Sequence, residues 1–200
     1  MYRLSGEEGL ALKKRPQRRR KVVRYREGRF IATAPDQAWS LDFVADQLQD
    51  WRRFRSLTIV DIFTRESVAI EVGQSLRGED MVRTQNGMKH EGLEPKLLFC
   101  DNGSEFAGQA MDLWAYQNSA KDRCVASWQA DRQRLHRIVQ WTFRGECLNA
   151  HWSETLTEAK QLIETWRQEY NRSGPHRSIG ERTPGEFASE CAASLELTAT

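Results

Sequence analysis

From Ala38 onward the apolar and polar positions fall into short, regular blocks. AWSLDFVAD (38–46) alternates and predicts a strand. RSLTIVDIF (55–63) is β-branched and apolar, a second strand, and ESVAIEVG (66–73) alternates again, a third. The polar connections are short, so the three form an antiparallel meander. Residues 78–90 predict a helix. PKLLFCDNG (95–103) predicts a short buried strand that ends in an Asp-Asn-Gly turn. Phe106, Met111, Leu113 and Trp114 space a helix over 106–118. Between Thr155 and Tyr170 apolar residues recur at three- and four-residue steps, a long helix that Asn171, Gly174 and Pro175 end. GERTPGEFA (180–188) reads as a final docked turn. Three strands followed by helix, strand and helix make a mixed sheet with helices on its faces. Trp39, Trp114, Trp152 and Trp166 are expected in the core.

Upstream the texture differs. Residues 1–12 carry weak helical spacing and read as the tail of a helical unit that begins before this chain. Residues 13–36 are basic and aperiodic, a linker or arm. Between Lys13 and Arg29 stand ten Lys/Arg and one Glu, +9, so the rest of the chain carries −7 of the net +2. Such an arm suits a polyanionic partner. Lys13, Lys14, Arg15, Arg18, Arg19, Arg20 and Lys21 are its candidate nucleic-acid contacts. A hydrophobic content of 39% and a charged content of 29% predict a globular chain. No apolar run is long enough to span a membrane and no secretion signal is visible, so a cytoplasmic, nucleoid-associated location is expected. Cys100, Cys124, Cys147 and Cys191 fit neither zinc-site nor disulfide spacing and are expected as reduced thiols.

Two carboxylates carry the candidate chemistry. Asp42 lies within an apolar strand, where a carboxylate is costly unless paired or bound to a cation. Asp101 ends another apolar strand before a turn. Carboxylates presented from adjacent strands can hold Mg²⁺, which prefers oxygen ligands and keeps substrate phosphates in its shell. A two-metal arrangement aligns attacking and leaving oxygens for phosphoryl transfer. On spacing alone, a strand-end role for Asp42 and a turn role for Asp101 remain open.

WSLDFV (39–44), LTIVDIFTRES (57–67), DNGSEF (101–106), ECLNAHW (146–152) and TWRQEYNRSGPHRSIGERTPGEF (165–187) resemble bacterial insertion-sequence transposases whose core is similar to retroviral integrases. The resemblance implies an α/β, RNase H-like fold: a five-stranded mixed sheet flanked by helices, here with a basic N-terminal arm. It implies Mg²⁺- or Mn²⁺-dependent cleavage and joining of DNA, the partners being insertion-element ends and target DNA. The family's first two metal-binding acids match Asp42 and Asp101. A homo-oligomer, or association with an intact transposase, is expected, and no membrane. The implied division is a helix-turn-helix remnant plus linker over 1–36, a catalytic core over 37–190 and a tail over 191–200. Members of the family carry an upstream helix-turn-helix region, so this chain is expected to be truncated or a second reading frame.

One stretch departs from the family. Its third acid is a Glu on a helix, which counting from Asp101 places at 137, and residue 137 is Arg. The surrounding WQADRQRLHRIVQW (128–141) also lacks the family's Gly-Lys-Pro-Thr-Asp-Asn-like loop and Phe-Ile-Glu-Ser-Phe-Asn-Gly-like helix start. Codons available to residues 128–141, read one nucleotide later, encode both motifs, with Glu at position 137. The expectation is that 121–141 is read out of frame between two compensating single-nucleotide changes; a sequencing error would look the same. Arg137 is a permanent cation and repels a metal. Glu146, nine residues on, lies about 13 Å away along a helix, and Asp131 is six residues before, so neither replaces it. Leu135, Ile138, Val139 and Trp141 can still line one helical face, and Cys124–Ala126 can still form a short strand.

The chain therefore reads as a transposase core, catalytically impaired, with a non-catalytic DNA-binding or transposase-inhibiting remnant as the alternative. A general RNase H-type nuclease is disfavoured by the C-terminal motif. Glu105 is expected to cap the following helix, Asp61 and Arg65 to make turn contacts, and His176 to serve packing. Gly174 stands where the family more often has Arg, which weakens a DNA contact.

Overall fold

The structure is a computed structural model and describes residues 31–90, 92–100, 121–122 and 139–198. Strands β1 (Trp39–Gln47), β2 (Arg53–Asp61) and β3 (Ser67–Gly73) form the antiparallel meander read from the alternation. Asp42 faces Thr58, and Thr58 faces Ile70. Helix α1 (Gly78–His90) then carries the chain over the sheet to β4 (Leu97–Cys100), which runs parallel to β1. Such a return needs a crossover rather than a hairpin. Glu79 and Asp80 occupy the first turn of α1 and Lys89 and His90 the last, each opposite in sign to the helix end it meets.

The strand order is β3-β2-β1-β4-β5. Four strands are four to nine residues long, whereas β5 is Lys121–Asp122 alone among the described residues. The expectation of five full strands is therefore corrected to four and a two-residue pairing beside β4. The strand expected at Cys124–Ala126 and the helix over 106–118, with Trp114 and Glu105, lie outside the described residues.

Alternation along β1 and β2 feeds two cores. Trp39, Leu41, Leu57 and Ile59 join Met81 and Met88 of α1 on one face. Val44, Leu48 and Phe54 join Phe143, Ile163 and Trp166 on the other. Helix α2 (Leu156–Ser173) covers that second face. Thr155 caps it by accepting from Glu158 N at 3.2 Å. Asn171, expected to end this helix, is buried inside it, and the cap is Gly174. Its amide accepts from Ser67 N at 2.9 Å and donates to Ser67 O at 3.1 Å, fastening α2 to the start of β3.

A second correction concerns the C-terminus. Residues 180–188 are not a lone docked turn. A 3₁₀ turn (Arg177–Ile179) leads through Gly180, left-handed at φ 78°, into helix α3 (Pro184–Thr198). Thr183 and Glu186 form a reciprocal capping box: Thr183 Oγ1 accepts from Glu186 N at 3.2 Å, and Glu186 Oε2 accepts from Thr183 N at 2.9 Å. Pro184 stands at the first helical position, where its missing N–H costs nothing. A Cβ at Gly185 would lie 3.0 Å from Asn171 O, so this glycine lets α3 approach α2.

Two aromatic expectations also change. Trp39 and Trp166 are buried, but Trp152 is 66% exposed and Trp141 80% exposed. Of the face expected across 135–141, Val139 packs in the core and Trp141 points away; residues 135 and 138 are outside the described set.

Candidate active site

The last parallel rung between β1 and β4 pairs Leu41 with Cys100. The next residue on β1 is Asp42, and the next after β4 is Asp101, which lies outside the described residues. Asp42 is half-buried. Its Oδ1 accepts from Phe43 N at 2.7 Å, and its Oδ2 accepts from the side-chain amide of Gln140.

Leu41–Cys100 is the last β1–β4 rung among the described residues, and another segment meets β1 beyond it. Helical residues 139–142 pass into a π-helix, Phe143–Leu148. Gln140 meets Asp42, Arg144 Nη2 donates to Ala45 O at 3.3 Å, and Ser153 O accepts from Gln49 N at 3.0 Å. Successive points of 140–153 thus meet successive points of 42–49. The π-helix is anchored by buried Phe143, Cys147 and Leu148. Phe143 stacks on Trp166 with centroids 4.9 Å apart, and Trp166 on Tyr170 at 5.2 Å. Single-turn π segments are uncommon and recur beside functional sites.

Arg137 and Asp131 lie outside the described residues, as do the seven arm residues Lys13 to Lys21. Glu146 is described, and it turns away from Asp42. Its Oε2 accepts from Trp166 Nε1 at 3.3 Å. It lines a cavity of about 580 Å³ shared with Glu169, Tyr170 and His176. Among the described residues no group of three or more His, Cys, Asp or Glu is placed to hold a metal ion. At this edge they supply one carboxylate, already met by an amide, which does not by itself fit Mg²⁺.

The neighbouring acid behaves differently. Asp61 is 2% exposed. It accepts from Asp36 N at 2.8 Å and from Phe63 N and Thr64 N at 2.7 Å each. Arg65, at φ 71°, donates to Ile62 O, and burial lowers its pKa. Burial, then the Asp61 charge, raises the pKa of Glu66. These are the turn contacts expected of Asp61 and Arg65. His176 packs edge-on to Tyr170 at 5.3 Å and pairs its backbone with Arg182, the packing role expected of it. Burial, then nearby Arg65, lowers its pKa.

The cysteines divide. Cys147 and Cys191 are free thiols, and burial pushes Cys147 up to about 12. Cys100, expected as a thiol, is disulfide-bonded. Sequence spacing gives no access to the through-space approach that a disulfide requires.

Sequence reasoning missed Gln140 and Arg144. The available signal was helical spacing: Gln140 and Arg144 stand four residues apart, the step that puts two side chains on one helix face.

Comparison with known proteins places this geometry. Integrase core domain models match residues 32–130 and residues 125–184. An uncharacterized 31.7 kDa protein of insertion element IS407 from Burkholderia multivorans is 36% identical over 199 residues, all of this chain and 72% of that protein. An uncharacterized 39.2 kDa protein of insertion element IS476 from Xanthomonas euvesicatoria is 35% identical, and the chain spans 54% of its length. Among solved structures, the HTLV-2 integrase catalytic core domain in complex with magnesium matches with TM-score 0.58 and 13% identity. That match covers 78% of this chain and 97% of the other. The simian T-cell lymphotropic virus intasome in complex with a PP2A regulatory subunit matches with TM-score 0.60 and 12% identity, over 78% of this chain and 55% of the other. No helix among the described residues is long and apolar enough to cross a membrane. The sheet, its flanking helices and these relatives together assign the chain to the insertion-sequence transposases with a retroviral-integrase-like, RNase H-like core.

Proposed function

We propose that this chain is a DNA transposase core whose Mg²⁺- or Mn²⁺-dependent cleavage and strand transfer are severely impaired. Asp42 and Asp101 are the two retained metal-binding acids, and Arg137 stands in place of the third. The observation that carries this reading is the contact between Gln140 and Asp42. It sets the described helical residues from 139 onward against β1, and Arg137 stands three residues before Gln140 in the sequence. A guanidinium there cannot lose its charge at any relevant pH. Glu146, the nearest described acid on that segment, is engaged by Trp166.

The proposed division is a helix-turn-helix remnant and linker over 1–36, a core over 37–190 and a tail beyond. Element-end and target DNA are the substrates, self-association or pairing with intact transposase the assembly, and the nucleoid the location. Phosphoryl transfer by two metals needs both ions held together, so losing one of three acids weakens the metal as well as the chemistry. The arm residues Lys13, Lys14, Arg15, Arg18, Arg19, Arg20 and Lys21 would still bind DNA through its phosphates.

The test is Mg²⁺-dependent nicking and joining of labelled ends of the chain's own element. The unaltered chain is expected to match its Asp42→Asn variant. Replacing 121–141 with its one-nucleotide-shifted reading, which puts Glu at 137, is expected to raise the rate at least ~100-fold. Cleavage by the unaltered chain that Asp42→Asn abolishes would overturn the reading. So would a coding sequence over these codons that does not shift into the family motif.

A further inference from the structure

We propose that the tip of the β1–β2 hairpin contacts single-stranded DNA, with Trp51 stacking on a base and Arg53 facing phosphates. The inference rests on the reading that this chain acts on DNA, and assigns that partner a surface away from the carboxylates.

Leu48 N donates to Arg52 O at 2.9 Å, and Trp51 N donates to Leu48 O at 3.0 Å. The loop is therefore Gln49, Asp50 and Trp51, and its third residue is left-handed, with φ 67°. A three-residue hairpin loop of this kind needs a left-handed third residue and is normally served by glycine. A bulky side chain there is a genuine outlier. The indole is also 72% exposed, so burial does not repay the disfavoured backbone. The fold gains nothing from tryptophan at this position. Strain of this sort persists where the surroundings enforce it, and it concentrates at functional sites.

The surroundings do enforce it. Leu48 is 1% and Phe54 3% exposed, so both ends of the loop are pinned in the core. Asp50 Oδ1 accepts from Arg52 N at 3.1 Å. Gln49 N donates to Ser153 O, which brings exposed Trp152 to the same end of the molecule. The tip is a rigid mount for an indole rather than a loose loop.

Charge selects the partner. Outside the basic arm the chain is net negative, yet Arg52, Arg53 and Arg55 follow Trp51 within four residues. Both Arg52 and Arg53 are exposed, but Arg52 Nε pairs with Asp50 Oδ2 at 2.5 Å, so Arg53 is the guanidinium the tip offers to a phosphate. An indole beside guanidinium groups matches a nucleic-acid strand, whose unstacked bases offer flat faces and whose backbone offers phosphates. Duplex DNA keeps its bases stacked, so the single strand is the form that the indole can use.

The full chain would be titrated into a fluorescein-labelled 20-nucleotide single strand and followed by anisotropy at several salt concentrations. Trp51→Gly is expected to weaken binding about tenfold, with the salt slope unchanged. The same variant should melt at a higher temperature, because glycine relieves the left-handed backbone. Trp51→Phe keeps a stacking face and should stay within about threefold of the parent. Arg53→Gln should instead lower the salt slope by about 0.7, one phosphate contact. If the parent binds and Trp51→Gly binds equally well, the proposal is wrong. If the parent binds no DNA at all, the DNA reading beneath it fails as well. If Trp51→Gly reduces self-association in sedimentation and leaves DNA affinity intact, the tip joins copies of the chain and the proposal is likewise overturned.

Discussion

Asp42 and Asp61 stand on paired strands, Asp42 opposite Thr58 and Asp61 opposite Trp39, yet the fold treats them in opposite ways. Asp61 is sealed, and three backbone N–H groups from 36, 63 and 64 converge on its two oxygens. Asp42 is half-buried just past the last described β1–β4 rung, and the amide that reaches across to it is a side chain, Gln140. A carboxylate held by several main-chain donors organises the chain around itself and is structural. A half-buried carboxylate met by another element's side chain can exchange that partner for a ligand. The difference separates two acids that the sequence presents in similar settings, each in an apolar strand.

The sharpest way to break the comparison is to remove the sealed acid. Asp61→Ala leaves the N–H groups of Asp36, Phe63 and Thr64 without their acceptor, the first two part-buried and the third buried, and should cost about 4 kcal/mol, at roughly 1–3 kcal/mol for each unsatisfied group and less than additive. Urea denaturation at neutral pH measures it. A loss under about 1 kcal/mol would mean that Asp61 does not organise the turn after β2, and the contrast with Asp42 would collapse.

Asn171→Ala applies the same rule to a neutral group. The amide serves both the N–H and the C=O of Ser67, and Arg167 Nη1 also donates to Ser67 O at 2.9 Å. With the carbonyl still served by Arg167, chiefly the N–H is orphaned, and the expected cost is about 2 kcal/mol by the same denaturation. A loss equal to that of Asp61→Ala would mean that docking of α2, rather than the count of backbone donors, governs both sites.

These two residues also show what was legible in the chain. Periodicity located α1 at 78–90 and each strand of the meander to within two residues, because alternation matches a sheet with cores on both faces. Asn171 read as a helix stop because asparagine usually is one; its partner at Ser67 is 104 residues away and invisible to local pattern. Helix α3 was misread for a different reason. Thr183, Pro184, Gly185 and Glu186 contain turn residues, but Thr-x-x-Glu with proline at the first helical position is a helix-start signature, and that signal was available. Trp152 was assigned to the core by residue type alone, although nothing in its spacing placed it there. At the site, Asp42 was found from its setting in an apolar strand. Gln140 was passed over as part of a foreign stretch, because a contact between β1 and a segment about a hundred residues later depends on how the helix lies along the strand edge.

The smallest predicted effect decides most between the two acids. Asp42→Asn keeps the side chain's size and one acceptor oxygen, so Phe43 N can keep its bond, while an amide can still meet Gln140. If Asp42 is held for chemistry, this change should move folding stability by less than about 0.5 kcal/mol, within the range of substitutions that break no buried network. In the variant carrying the one-nucleotide-shifted 121–141, it should abolish Mg²⁺-dependent cleavage. Stability and activity then separate at Asp42, while at Asp61 they fall together. A stability loss of 2 kcal/mol or more at Asp42 would place it with Asp61 among the structural carboxylates, and Asp42 would have no claim to mark the reacting site.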